Sequence, residues 1–253
     1  MKQLLTLISL TATLATTGAE KPNIIYILAD DLGINDFGCY GQKIMETPRI
    51  DQMAKEGMQF FNHYSGSTVC APTRSCLMTG QHTGRTRIRG NSKAHLKPED
   101  VTVAEVLKKA GYATGCVGKW GLGEADSPGI PNLQGFDFFF GYLNQSRAHR
   151  FYPDYVWRNQ KKEHYPGNPT KRETYIHDNF TREGLNWIKK QGKTDEPFFL
   201  YMAYTLSHVD LDVPDDSMKP YLKAIKEKAL TKTPILPKKD TAATPPRALA
   251  LPA

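Results

Sequence analysis

The sequence predicts an α/β fold in which a mixed β-sheet is flanked by helices. Short apolar runs alternate with helical patterns as far as Tyr204, which is the order of elements that a sheet covered by helices requires. The three most apolar runs are Pro22–Leu28, Tyr112–Val117 and Pro197–Tyr204. A chain of 253 residues can bury a large core around such a sheet.

Residues 22–64 predict a strand, a helix and a second strand. The run 22–28 follows a proline and is apolar at nearly every position, which predicts a strand buried on both faces. Thr47 as N-cap and Pro48 in the first turn predict a helix that ends at Gly57. Met58–Tyr64 is then predicted to be a strand. We expect the helix to bury three side chains, namely Ile50, Met53 and Ala54.

Two further helices are predicted in the second half of the chain. Thr102 and Glu105 have the spacing of a capping box for a helix that ends near Gly111. Its expected core stripe is Val103, Val106, Leu107 and Ala110. The helix Tyr175–Lys190 is expected to bury Phe180, Leu185, Trp187 and Ile188.

Two segments between these helices have unusual compositions. Gly135–Tyr142 is rich in aromatic residues and is predicted to pack in the core or in the wall of a pocket. Residues 144–172 are predicted to form a long loop rich in Tyr, Pro, Arg and His. That composition fits contacts with a sugar and an ordinary surface loop equally well.

The two ends of the chain differ in composition from the middle. Residues 1–19 combine Lys2, an apolar stretch over 4–15 and small residues at 17–19, which predicts a signal peptide and an exported protein without a membrane span. Residues 219–253 are rich in Pro, Ala and Thr and are predicted to be a disordered or extended tail. They also carry most of the chain's net charge of +7, so this charge does not indicate nucleic-acid binding.

The segment Ser67–Gly80 carries the most specific pattern in the chain. Pro72 suits the first turn of a helix and Gly80 can end it, which puts Cys70 at the helix N-terminus, where unpaired N–H groups favour negative charge. Arg74 lies one turn later and can lie beside Cys70. Taken alone, the pattern also fits a disulfide between Cys70 and Cys76, or an unmodified thiol.

Four polar residues follow predicted strands. Asp30 and Asp31 follow the first strand, Lys119 follows the run that ends at Val117, and His208 follows the last strand. Because the carboxyl ends of parallel strands meet at one edge of a sheet, we expect these side chains to lie close together. The alternatives are a solvated turn for the aspartates, a solvated loop lysine and a structural histidine.

Taken together, these segments resemble the type I sulfatases of the alkaline-phosphatase superfamily. The pattern Cys70-x-Pro72-x-Arg74 is similar to the signature that the family's maturation enzyme reads when it converts cysteine to formylglycine. Gly118-Lys119-Trp120 and the segment from Phe199 to His208 resemble two further sulfatase motifs. The resemblance assigns residues 20–218 to the N-terminal part of the catalytic domain, and implies a sheet that is incomplete on its C-terminal side.

The resemblance also implies a role for each matched residue. Asp30, Asp31 and the formylglycine made from Cys70 would bind Ca²⁺ or Mg²⁺. The same formylglycine would supply the nucleophile, and Arg74 would stabilise it or the sulfate. Lys119 would bind a sulfate oxygen, and His208 would protonate or orient the leaving oxygen.

The chain departs from the family pattern in two places. Many sulfatases have a histidine with a role in sulfate release where this chain has Gly121; His149 is one candidate replacement, and a surface histidine is the other interpretation. The resemblance also ends before the family's Asp-Asn metal ligands and a further lysine. Asp215 and Asp216, predicted to lie in a loop, do not replace them.

These observations imply a sulfuric ester hydrolase, similar to arylsulfatases, that acts on a sulfated small molecule or glycan. Its expected partner is a formylglycine-generating enzyme, and its expected location is secreted or periplasmic. Two alternatives remain open. One is a phosphonate or phosphate diester hydrolase of the same superfamily, and the other is a truncated, inactive sulfatase-like chain that serves as a binding module.

Overall fold

A computed structural model describes residues 21–208 and 212–221, so the predicted signal peptide and nearly all of the predicted tail lie outside the described residues. The fold is a mixed six-stranded sheet with flanking helices, as predicted. The strands are β1 Ile24–Leu28, β2 Ala113–Lys119, β3 Phe138–Tyr142, β4 Tyr155–Arg158, β5 Lys161–His164 and β6 Phe198–Ala203. The helices are α1 Pro48–Glu56, α2 Cys70–Thr79, α3 Val103–Lys109, α4 Asn168–Lys171, α5 Ile176–Gln191 and α6 Asp215–Met218. None of the helices in these ranges is long and apolar enough to cross a membrane.

The sheet has the strand order β1-β6-β2-β3-β4-β5. The first four strands in this order are parallel, and β4 and β5 continue the sheet as an antiparallel hairpin. Alternate residues of β2 and β6 enter two separate apolar cores. Cys116 and Tyr201 face the core that also contains Met78 of α2 and Ala104 of α3. The other core, which contains Trp187 of α5, lies on the opposite face.

The first strand was predicted to be buried on both faces, and this prediction is wrong. Within the described residues β1 pairs only with β6. Ile25 and Ile27 are 47% and 61% exposed because no helix of the described ranges covers that side of the strand. Residues 58–64 form no strand, and their aromatic side chains are exposed.

The predicted helices exist, but several side chains expected in the core are exposed. Helix α1 packs against a short turn at Gly38–Tyr40 and not against the sheet. Met53 is therefore 64% exposed, and Ile50 is also exposed. The capping box of α3 is present, since the Glu105 amide donates to the Thr102 hydroxyl at 3.2 Å. Three residues were wrongly assigned to the core, namely Val106 of α3, Ala110 directly after it, and Leu185 of α5.

The predicted long loop over residues 144–172 contains regular structure. Strands β4 and β5 pair within it, and α4 follows. Arg158 of β4 lies over the ring of Phe140 and pairs with Glu163 and Glu183, so the hairpin is fixed to the rest of the fold. Asp215 and Asp216, predicted to lie in a loop, begin helix α6.

A buried histidine in α5 makes the fold sensitive to acid. His177 Nε2 lies 2.7 Å from Thr205 Oγ1, and burial lowers the pKa of His177 to about 3. In the unfolded chain its pKa returns to about 6.5, so between these values only the unfolded state binds the proton. This group therefore removes about 1.4 kcal/mol of stability for each pH unit lost below 6.5.

We expect His177→Gln to weaken this dependence on pH. The difference in unfolding free energy between pH 6 and pH 5 should be smaller by about 1 kcal/mol in the variant than in the wild type. Urea denaturation at the two pH values measures it. His63→Gln, at an exposed histidine, is the control. Equal pH dependence in His177→Gln and the wild type would contradict the assignment.

Candidate active site

The predicted site residues Asp30, Lys119 and His208 are brought together at the carboxyl edge of the parallel strands. Asp30 follows β1, Lys119 is the last residue of β2, and His208 lies five residues after β6. The loops after β1 and β6 are joined by the Asp30 amide, which donates to the Leu206 carbonyl at 2.7 Å. The edge rule for parallel sheets therefore correctly predicted this juxtaposition.

Three charged groups form the buried centre of the site. Lys119 Nζ donates to Asp30 Oδ2 at 2.6 Å, and Arg74 NH2 lies 3.5 Å from the same oxygen. All three residues are at least 94% buried. Burial alone would raise the pKa of Asp30, but Arg74 and Lys119 more than offset this effect and hold it below its usual value. Two cations facing one carboxylate leave this centre with an excess of positive charge.

Arg74 is fixed by two further contacts. Its NH1 donates to the Lys119 carbonyl at 2.6 Å and to the Tyr201 hydroxyl at 3.2 Å. Its Nε and NH2 are buried and make no hydrogen bond to the described residues, and NH2 has only the longer ion-pair contact with Asp30. Because a buried donor without an acceptor is costly, these atoms are suited to an anionic group bound beside them.

Cys70 is the first residue of α2, as predicted, and Gly80 ends the helix with a left-handed φ of 65°. None of the four cysteines forms a disulfide, which rules out the Cys70–Cys76 bridge in this structure. Cys70 is partly exposed. Arg74 lies one turn later, about 6 Å further along the helix axis.

Asn91 holds the start of α2 and was not predicted. Its Oδ1 accepts the Ala71 amide at 3.1 Å, and its Nδ2 lies 3.5 Å from Cys70 Sγ. It thus supplies an acceptor to one of the unpaired N–H groups of the helix N-terminus. A single asparagine in a Gly-Asn-Ser loop carries no sequence signal for this contact.

We expect Asn91→Ala to lower the unfolding free energy by about 1 kcal/mol, since the Ala71 amide loses its acceptor. Asn91→Asp keeps an acceptor at the helix N-terminus and should cost less than half as much. Urea denaturation of both variants measures the difference. If Asn91→Ala is as stable as the wild type, this cap does not stabilise α2.

Asp31 and His208 pair beside the buried centre, and their side chains are 60% and 12% exposed. His208 Nε2 lies 3.3 Å from Asp31 Oδ2. Asp31 has a φ of 59°, which is unusual for a residue other than glycine and is a frequent feature of functional sites. The ring of His149 stacks on His208 with 4.4 Å between centroids. Burial, followed by the nearby charges of His208 and Lys119, lowers the pKa of His149.

Gly121 has a local environment that explains the absence of a side chain. Its φ is 79°, and a Cβ atom there would lie 2.0 Å from Nε2 of Gln145. Gln145 Nε2 also donates to the Gly121 carbonyl at 3.1 Å. Gln145 therefore occupies the space into which a side chain at position 121 would extend, a role that the sequence did not reveal.

The donors for a divalent cation are only partly provided. Asp30 and Asp31 offer carboxylate oxygens, the type of ligand that Ca²⁺ and Mg²⁺ prefer. Within the described ranges, however, no group of three or more His, Cys, Asp and Glu side chains could hold a metal ion. The predicted trio of Asp30, Asp31 and Cys70 thus does not form a complete protein cage, although its two carboxylates fit a hard cation.

Comparison with known proteins supports the resemblance of the motifs. The family model described as Sulfatase matches residues 22–231. The chain is 36% identical to N-acetylgalactosamine-6-sulfatase of Sus scrofa over 219 residues. This aligned region covers 78% of this chain and 42% of that protein.

Two solved structures are also similar. Ps i-CgsB in complex with k-i-k-neocarrahexaose is 31% identical, with a TM-score of 0.72, covering 82% of this chain and 50% of that one. BT4656 in complex with its substrate D-glucosamine-2-N,6-O-disulfate is 25% identical, with a TM-score of 0.68, covering 83% and 39%. The chain spans less than half the length of the curated relatives that it matches. The Sulfatase family model matches most of the length of this chain, and the chain therefore belongs to the sulfatase family.

Proposed function

We propose that this chain hydrolyses sulfate esters of sugars through a formylglycine made from Cys70, together with a bound Ca²⁺ or Mg²⁺ ion. The observation that carries the proposal is the buried cluster of Arg74, Lys119 and Asp30, in which Asp30 and Lys119 lie at strand ends and Arg74 lies on the helix that Cys70 begins. Its excess positive charge suits a sulfate group, and its position beside a helix N-terminus adds to the attraction for an anion.

The chain's own residues divide the work of binding a sulfate ester. Lys119 contributes an ammonium group that can contact a sulfate oxygen, and Asp30 holds that group in place at 2.6 Å. Arg74 lies beside the same Asp30 carboxylate. Its Nε and NH2 are two buried donors that make no hydrogen bond in the described part of the chain. Charge that develops on the sulfate oxygens would thus meet fixed cations in a water-poor environment, where electrostatic stabilisation is strongest.

His208, which pairs with the exposed Asp31, would lie where the alcohol part of the ester leaves. A hydrogen bond or proton from its imidazole would stabilise the leaving oxygen. Its neighbour Asp31, 3.3 Å away, would orient the ring. The loop that carries His208 is held to Asp30 by the backbone bond to Leu206, so the two sides of the site keep a fixed separation.

Asp30 and Asp31 would hold the cation, with further oxygens supplied by other groups. When bound, the cation and the formylglycine would supply Lewis-acid stabilisation of the sulfate oxygens and a hydrated aldehyde as the nucleophile. The partial exposure of Cys70 is compatible with access by a formylglycine-generating enzyme.

The proposed substrate class is a sulfated glycan or a sulfated sugar. Two similar proteins are described with bound sugars, one with a neocarrahexaose and one with a glucosamine disulfate. A secreted or periplasmic location, which residues 1–19 predict, would bring the enzyme to such substrates.

The test uses the full chain produced together with a formylglycine-generating enzyme. Mass spectrometry of the peptide that contains Cys70 shows whether the residue is converted, and sulfate release from an aryl sulfate measures turnover. A phenyl phosphonate ester assayed in parallel tests the related hydrolase. Conversion with sulfate release supports the proposal. If the residue is converted and calorimetry shows binding of inorganic sulfate but no ester is turned over, the chain is a binding module. An unmodified thiol without turnover contradicts the proposal.

A further inference from the structure

The turn between β3 and β4 contributes two side chains to the candidate site. Residues 144–150 follow β3 directly, and Gln145 and His149 both come from this turn. The turn is fixed, because the Gly121 amide donates to the Leu143 carbonyl at 2.9 Å and the Arg147 amide donates to Asn144 Oδ1 at 2.9 Å. Its side chains therefore have a defined position relative to the end of β2.

The positive φ of Gly121 and the position of the Gln145 amide both disfavour a side chain at position 121, two residues after Lys119. The space at position 121 is filled by the Gln145 amide, and the positive φ of Gly121 disfavours other residues. With glycine at position 121, a functional group beside Lys119 comes from another element.

His149 is the group that the same turn places there. Its ring lies nearly parallel to that of His208, with 17° between the planes and 4.4 Å between centroids. His149 is half-buried, so it is not an ordinary surface histidine, as one interpretation of the sequence had it. Two imidazoles thus face the side of the site where the leaving alcohol would lie.

We propose that His149 is a further residue of the active site, which contacts the sulfate ester as a second imidazole hydrogen-bond donor beside His208. The inference rests on the proposed sulfatase function and deepens it. It assigns the side of the site that faces the alcohol to a pair of stacked imidazoles from two loops, with the sulfate oxygens assigned to Lys119 and Arg74. Gln145 acts as a positioning residue that holds the turn against Gly121.

The test distinguishes two roles for His149, namely a hydrogen bond to the ester and stacking that only supports His208. His149→Phe keeps an aromatic ring that can stack on His208 but removes both ring nitrogens, whereas His149→Ala removes both features. His164→Ala, at an exposed histidine on β5 three strands away from β2, is the matched control. Binding of inorganic sulfate to the full chain is measured by calorimetry, and hydrolysis is measured with aryl sulfates whose phenols span a range of pKa.

Inorganic sulfate has a fourth oxygen where the ester has its alcohol oxygen, and this is the oxygen that His149 would contact. We therefore expect His149→Phe and His149→Ala to weaken sulfate binding by about tenfold each, the effect of losing one hydrogen bond to a charged group. The loss of kcat/KM should grow as the phenol becomes more basic, because a poorer leaving group depends more on the donor. His164→Ala should match the wild type in both measurements. If His149→Phe retains wild-type binding and the same dependence on the leaving group, the ring only supports His208 and the inference is wrong.

The Lys119→Met variant distinguishes this failure from a failure of the proposed function. If Lys119→Met loses sulfate binding while both His149 variants keep it, the sulfate site stands and only the role of His149 is overturned. If the wild-type chain neither binds sulfate nor releases it from any ester, both the proposed function and the inference are contradicted.

Discussion

Replacement of Lys119 by methionine is expected to abolish sulfate binding and to lower the unfolding free energy by about 3–5 kcal/mol. Lys119 is fully buried, and its ammonium group is the nearest partner of the Asp30 carboxylate. Methionine preserves much of the side-chain volume, so the loss should reflect charge and not a cavity. Asp30 would retain only the more distant contact with Arg74, at 3.5 Å.

Urea denaturation and sulfate calorimetry of the full chain measure the two effects. Lys161→Met, at an exposed lysine of β5, is the control and should change neither. If Lys119→Met unfolds at the wild-type urea concentration, the buried pair does not stabilise the fold. If the variant binds sulfate with the same affinity as the wild type, Lys119 is not the sulfate-binding lysine.

Cys70→Ala is expected to reduce the hydrolysis of aryl sulfates by at least about a thousandfold, as loss of a nucleophile does in other hydrolases. The fold should be nearly unaffected, because alanine is a good helix former and Asn91 still accepts the Ala71 amide. Initial rates of sulfate release and urea denaturation of the same preparation measure both properties.

Cys76→Ala provides the matched control on the same helix. Cys76 is also half-buried and free, but its thiol faces Gly66 and Thr83 at the other end of α2. We expect it to retain most of the activity. Equal activity of Cys70→Ala and Cys76→Ala would exclude Cys70 as the source of the nucleophile.

The sequence predicted the part of the fold that depends on buried strands. The runs that became β2 and β6 are apolar over their whole length because both faces are covered, and their boundaries differ from the prediction by only one or two residues. The strand ends then located Lys119 and Asp30 by the edge rule, without information from distant contacts. This is why the charged centre of the site could be predicted.

The remaining features depend on tertiary contacts that local patterns do not encode. Helix α1 has the periodicity of a core helix, yet the sheet lies elsewhere and Met53 is exposed. The hairpin of β4 and β5 is mostly polar on its outer strand, so it lacks an apolar alternation. Asn91 and Gln145 act through single hydrogen bonds across loops, and the stacking of His149 on His208 joins residues that are far apart in sequence.

The double role of Lys119 has a consequence for how the substrate range of such a site can diverge. Its ammonium group donates to Asp30 and its carbonyl accepts from Arg74. One residue at the end of β2 therefore connects the loop after β1 to helix α2. The turn at 144–150 and the loop after β6 attach to this assembly from outside. Substitutions in these two outer segments at positions other than His149 and His208 can therefore change which alcohol is accepted, while the contacts of Lys119 and Arg74 with the sulfate group stay in place.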